Sequence, residues 1–233
     1  TEIIYRALSG VVPNKVIAAS GGTPAQMNVF YGRRNDRRPW HSVIIRGGGM
    51  GASAINDGNY VYIFPANGAN TPIEIFESDT PLIVEKRELI TDSAGPGIMK
   101  GGLGQREVFK VPDDKYAPIP PVNLGMQAGR HIHPPEGLFG GKPGAKAKFL
   151  VNGVPGNPFG LTQLKPGDVV TIDAAGGGGC GNPLDRDLEM VVSDVIEGYV
   201  SIESAREDYG VVIDPKTLKV DREATKKLRS ERV

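Results

Sequence analysis

The run IDAAGGGGCG places Gly176, Gly178 and Gly181 in G-x-G-x-x-G spacing, after a strand-like segment and before a helical one. Backbone N–H groups in such a loop can cradle a dinucleotide pyrophosphate at a helix N-terminus. The context argues otherwise. The next segment, GYVSIESAREDYG, reads as helix where a parallel strand ending in an acid is needed, and the glycines open onto Asn182-Pro183. A second match, VIIRGGGMGA with Gly47, Gly49 and Ala52, is followed within a few residues by the Asn56-Asp57-Gly58 turn, which leaves no room for a phosphate-facing helix. Neither loop carries the G-K-[ST] of a P-loop. Both are expected to pack closely or to shape a small-ligand loop, and the chain itself is expected to bind no ATP.

Other chemistry-bearing groups are sparse. His131 and His133 in RHIHPP have a spacing that can hold a metal in an extended segment, but no acidic or cysteine partner is near in sequence, and a solvated turn is the expectation. Cys180 lacks a visible histidine partner and reads as a small packed thiol. Arg33, Arg34, Arg37 and Arg38 form a solvated or interface loop, and no G-x-S-x-G nucleophile elbow occurs. The remaining candidate is TDSAGPGIMKGGLGQREVF, in which five glycines and a proline lie between positions 95 and 104, bounded by strand-like runs on both sides.

The elements that must hold these loops follow from composition and pattern. Gly 32 and Pro 19 punctuate short strand-like runs: KVIAAS, QMNVFYG, HSVIIR, NYVYIF, IEIFES, LIVEKRELI, QREVFKV, AKAKFLVNG and DVVTIDA. VNGVPG and NDGNY add turn signals of the Asn-Gly and Asp-Gly kind. After Gly181 the period changes to helical. Leu188, Val191, Val192 and Val195 share one face, Ser201 is an N-cap for SIESAREDYG, and DREATKKLRSERV is polar nearly all round, expected to fray or to pack on something else. The expectation is an α+β fold with a β-dominated core over about residues 11–181, Gly/Pro-rich loops, and a helical region over about 182–233. TEIIYRALSG at the start reads as part of an amphipathic helix stopped by Gly10, so residues 1–233 are expected to be a fragment, a processed chain or a piece of a longer polypeptide.

With 27 basic and 27 acidic side chains, neither nucleic acid nor a membrane surface is an expected partner. One cysteine excludes an intrachain disulfide and fits a reducing compartment, and no apolar run approaches the ~20 residues of a membrane span. A cytoplasmic protein is the expectation.

GGGMGASAINDG, PANGANTPIEIFESDTPLIVEKRELITDSAGPGIMKGGLGQR and GGGGCGNPLDRDLEMVVSDVIEGYVSIESAREDYGVVID resemble the C-terminal half of the hydantoinase B family. That family includes N-methylhydantoinase-type B subunits, the corresponding half of 5-oxoprolinase and the acetone carboxylase α subunit. The likeness runs from about Ile3 to Ile213 and is densest in D-S-x-G-P-G-x-x-x-G-G-L-G, Asp92 to Gly104. It departs at Cys180, where the family has an aromatic, and at Asn182, where it has an acid, which leaves the substrate class open.

The resemblance implies a partner of hydantoinase-A-like, actin-like ATP-binding type with its ATP and Mg, and an N-terminal hydantoinase-B segment carrying a divalent metal; this chain is expected to bind no cofactor itself. It implies active-site-wall positions at Gly48, Gly49, Gly51 and Asp57, at Asn70 and Glu77, and at Asp92, Ser93, Gly95, Gly97, Gly101, Gly102 and Gly104. No catalytic or metal-binding residue is carried over. The implied activity is ATP-dependent hydrolysis of a cyclic amide, as part of a hetero-oligomer. The alternatives are a carboxylase subunit of the acetone or acetophenone type and a non-catalytic β-rich assembly or ligand-binding module.

Overall fold

The computed structural model describes all residues except 1, 23–25, 67, 69, 128 and 233, so the outermost residue of each terminal helix reading lies outside the described residues. Among the described residues, nine strands form two antiparallel sheets. β1 (Gln26–Arg33), β2 (Pro39–Arg46), β5 (Ile119–Gln127) and β8 (Leu161–Leu164) make one, in the order β2-β1-β5-β8. β3 (Ile83–Leu89), β4 (Gln105–Lys110), β6 (Lys148–Val151), β7 (Val154–Pro155) and β9 (Val169–Asp173) make the other, in the order β3-β4-β9-β6-β7. The expected α+β class is what forms.

Period-2 alternation drives the sheets together. In β4 the residues at 105, 107 and 109 are buried and the others half-buried, and Phe30, Phe76 and Phe109 meet with centroids 5.3 to 6.2 Å apart. Val122, Leu124, Val170 and Ile172 complete this core. The VNGVPG signal folds as expected, with Asn152 at φ 52° and Gly153 at φ 78° between β6 and β7.

Three of the strand readings fail, each for a local reason. IEIFES is α2 (Ile73–Asp79), entered at Pro72 and buried only at Phe76; apolar residues at 73, 75 and 76 in so short a run do not separate the two periods. KVIAAS and NYVYIF make only isolated bridges, at Ile17, Tyr62 and Ile63, because their backbones pair with glycine segments. NDGNY is likewise no hairpin. Conversely β5 begins with Pro120-Pro121, residues that argue against a strand in sequence and are tolerated at its first positions.

The helices follow their caps. α1 (Glu2–Leu8) buries no residue. Asp187 accepts from Glu189 and Met190 N–H to start α3 (Leu188–Ile196); Ser201 accepts from Ser204 N–H at 3.0 Å to start α4 (Ile202–Glu207); Asp221 caps α5 (Arg222–Ser230). Val191, Val200, Ala205, Tyr209, Val211 and Ile213 form their shared core, with Leu188, Val192 and Val195 packed on it. The polar α5 docks on this chain rather than fraying. Thr225 is buried and accepts from Val212 N–H, and Arg229 donates to the Tyr209 and Arg186 carbonyls.

Candidate functional site

Between the sandwich and the C-terminal helices, the glycine segments pack on one another. The central one is 174–181. Gly176 and Gly179 donate to the Ala145 and Lys142 carbonyls, Gly177 and Cys180 donate to those of Gly102 and Met99, and the Ala175 and Gly178 carbonyls accept from Gly49 and Ala52. Each neighbouring segment is met every third residue, which is the repeat of polyproline II and not of a β-ladder. None of Gly176 to Gly179 has a positive φ. What demands glycine here is the missing Cβ: one added at Gly49 would lie 1.8 Å from the Gly102 oxygen, and at Gly177 2.0 Å from the Met50 oxygen.

This answers both nucleotide-like spacings. Every N–H from Gly176 to Gly181 donates to another backbone carbonyl, and those of Gly49, Met50, Gly51 and Ala52 are spent too. No row of free amides faces a phosphate. The 91–104 and 47–58 segments do come together, with Gly102 N–H on the Met50 carbonyl and Gly58 N–H on that of Lys100, both at 2.8 Å.

A buried ionic cluster clamps the bundle to the helices. Arg186 donates to both Asp57 oxygens at 2.8 and 2.7 Å and to Asp194 at 2.9 Å. The Lys100 ammonium, fully buried, donates to Asp194 at 2.5 Å and to Tyr60 Oη at 3.1 Å, and lies over the Tyr60 and Tyr199 rings. Burial pulls the Lys100 pKa down against the pull of Asp194, and pushes Tyr60 and Tyr209 up. Arg186 is held above its usual range by Asp57 and Asp194, against the desolvation that opposes it.

Sequence reading reached Asp57 and missed Lys100, Tyr60, Arg186 and Asp194. A lysine inside GIMKGGLG and an arginine in DRDLE, both among residues the fold buries, were the available signal.

The other expected wall positions divide by partner. Asp92, at φ 59°, accepts from Ser201 N–H and so ties the loop to α4; Ser93 Oγ donates to the Ile90 carbonyl and accepts from Gly104 N–H. Gly95, Gly97, Gly101, Gly102 and Gly104 each pack within 2.6 Å of backbone if given a Cβ, as do Gly48, Gly49 and Gly51. Asn70 donates to Gln105 at 2.9 Å, and Glu77 accepts from Val84 N–H at 2.7 Å, at the sandwich end of α2. These two therefore stand with the sheets rather than in the bundle.

His131 lies in a bend and edge-on to Phe159, with its pKa lowered by burial; His133 lines a separate cavity beside α1. Cys180 is buried with its thiol pKa raised, the opposite of an activated nucleophile. Among the described residues, no three His, Cys, Asp or Glu side chains are grouped to hold a metal. No helix is long and apolar enough to cross a membrane.

Over the bundle opens a groove of about 400 Å³ lined by Ile17, Met50, Gly51, Ser53, Asn56, Asp57 and Asn59. It joins two expected wall residues, Gly51 and Asp57. Both Asp57 oxygens are taken by Arg186, so the groove offers amides, a hydroxyl and a thioether, a surface suited to positioning a polar ligand rather than to acid–base chemistry.

The profile of the family described as Hydantoinase B/oxoprolinase matches residues 1–183. An uncharacterised protein of Methanocaldococcus jannaschii is 36% identical over 98% of this chain and 39% of its own length. The caprolactamase subunit beta of Pseudomonas jessenii is 31% identical over 91% of this chain and 38% of its own. The solved ATP-dependent caprolactamase of that organism superposes with TM-score 0.77, at 27% identity, covering 97% of this chain and 40% of that one. A nucleotide-free acetone carboxylase superposes with TM-score 0.82 at 23% identity, covering 98% of this chain and 36% of that one, and shares the fold. The chain thus spans about two-fifths of the length of these relatives.

Proposed function

The chain belongs to the hydantoinase B/oxoprolinase family, and from that premise we propose that it is one region of a hydantoinase-B-type subunit in an ATP-dependent cyclic-amide hydrolase. The ring opened would be an N-methylhydantoin, 5-oxoproline or lactam ring. The observation that carries this reading is the family match over 1–183 together with a caprolactamase relative at 31% identity over 91% of the chain.

An amide is a poor electrophile, and phosphorylation of its oxygen by a separate actin-like, hydantoinase-A-like subunit would lower the barrier to attack by water. Among the described residues no three His, Cys, Asp or Glu side chains are grouped to hold a divalent metal, so the ligands for one would come from the other region of the subunit. The role assigned to this chain is positional. The clamp of Arg186, Asp57, Asp194 and Lys100 holds the bundle rigid, and the groove over Gly51 and Asp57 forms one wall of a cleft completed by the other region of the subunit.

The carboxylase reading has the acetone carboxylase superposition in its favour, but at 23% identity that is a likeness of fold. The test is to purify the assembly containing this chain and to measure ATP consumption with hydantoin, 5-oxoproline and caprolactam, and with acetone plus bicarbonate. Ring opening stoichiometric with ATP is the expected outcome. Carboxylation alone would transfer the chain to the carboxylase branch, and no ATP-linked turnover in an intact assembly would leave the non-catalytic module.

A further inference from the structure

The two sheets of the sandwich turn chemically opposite faces outward. On the β3-β4-β9 side, Arg106 pairs with Asp173 at 2.8 Å and with Glu88 at 3.9 Å, and Lys86 reaches Glu88 at 3.3 Å. That is a face built for water. On the other side, the register runs Val43–Val29–Gly125–Leu161 across all four strands, with Ile45–Met27 one rung along and Tyr31 on the other flank. Val43, Ile45, Leu161 and Tyr31 are 50, 45, 56 and 39% exposed, while Phe30, Ile44 and Leu124 behind them are buried.

A strand apolar on both faces belongs to a sheet covered on both sides. β2 approaches this, with Val43 and Ile45 outward beside His41 and with Trp40 and Ile44 inward, and it is also an edge, a combination that invites aggregation when left open. Gly125 deepens the face, since a Cβ there would have no neighbour within 3.8 Å. A trough therefore crosses the sheet between Val29 and Leu161, flanked by apolar side chains on both banks.

We propose that this trough is the docking surface for the complementary region of the hydantoinase-B subunit. The inference rests on the reading of this chain as one region of a longer subunit. In the solved relatives this fold makes up 36 and 40% of one polypeptide, so the larger part of such a subunit is tethered to it and available to dock. The opposite sheet satisfies its outward charges within itself, and the bundle's amides are spent. The β2-β1-β5-β8 face, with Val43, Ile45 and Leu161 open, is an apolar sheet surface available for that contact; α1, with Ile3 and Ile4 exposed, is a separate apolar surface outside the sandwich.

The test is site-specific photo-crosslinking in the intact assembly, purified through this chain. Val43→p-benzoylphenylalanine is the probe, Leu161→p-benzoylphenylalanine is the second probe on the other bank, and Lys110→p-benzoylphenylalanine is the control on the salt-bridged side. Mass spectrometry of the adducts reads the occupant. The expected result is that both trough probes join peptides of the complementary hydantoinase-B region, at least tenfold more efficiently than the control.

Adducts to a second copy of this chain, or to the ATP-binding subunit, overturn the proposal. So does a complementary region present in the assembly but captured only by the control, and in that case the composite-subunit reading survives. An assembly without any such region sinks both.

Discussion

The sandwich and the glycine bundle are cohesive for opposite reasons. In the sandwich, side chains do the packing. Phe30, Phe76, Phe109 and Ile172 fill the space between two sheets, each held together by its own hydrogen bonds. In the bundle, backbone packs on backbone, and side chains are excluded from the contact. A side-chain core absorbs a changed shape by repacking, because rotamers can adjust. A backbone core cannot, because the opposing atom is a carbonyl fixed by its own hydrogen bond.

That difference predicts an inversion of the usual size rule. Gly49→Ala adds one methyl group beside the Gly102 oxygen and should cost far more than the ~1–3 kcal/mol of ordinary overpacking. The expected outcome is loss of the cooperative melt by circular dichroism; a Tm within a few degrees of the parent would break the contrast. Arg186→Met comes next. It leaves Asp57 without its cation and Asp194 with Lys100 alone, at about 3–5 kcal/mol in urea denaturation, and an Arg186→Met, Asp57→Asn variant, which keeps the Lys100–Asp194 pair, should recover part of that loss.

Phe109→Leu, though it alters more atoms than Gly49→Ala, should cost only about 1–2 kcal/mol, because neighbouring rings can close in. A loss as large as that of Gly49→Ala would show the sandwich to be equally rigid.

His131, in the bend after β5 and edge-on to Phe159, tests the acid side of the stability profile. Burial lowers its pKa in the folded chain, so below about pH 6.5 the unfolded state binds the extra proton and stability falls as pH falls. His131→Phe should flatten that acid slope in urea midpoints measured between pH 5 and 7. An unchanged slope would place the titration elsewhere. The smallest effect belongs to Gly125→Ala, which meets nothing within 3.8 Å and should shift stability by less than about 1 kcal/mol; it separates glycines that are packed from glycines that are merely present.

Much of this was legible in the residues. Period-2 runs located β1, β2, β3, β4, β6 and β9. Asn152-Gly153 marked its hairpin, Ser201 its cap, and Leu188 to Val195 the buried face of α3, because each of these depends on neighbours a few residues away. The strand reading of IEIFES failed where two periods coincide over a short run, and β5 was hidden by its own prolines. The expected wall positions do not share one geometry. Asp92 turned out to hold α4, Asn70 and Glu77 to sit at the sandwich, and Lys100 and Arg186 to carry the clamp.

The sequence by itself determined the family, the α+β class, the local turns and caps, and the fact that glycine recurs where the chain bends between strands. Tertiary structure alone decided why those glycines are there. Neither Gly49 nor Gly177 has a positive φ, and the atoms nearest a Cβ added at either belong to distant segments of the chain. The prohibition comes from carbonyls of Gly102 and Met50, brought within 2 Å of the missing Cβ only when distant segments hydrogen-bond at every third residue.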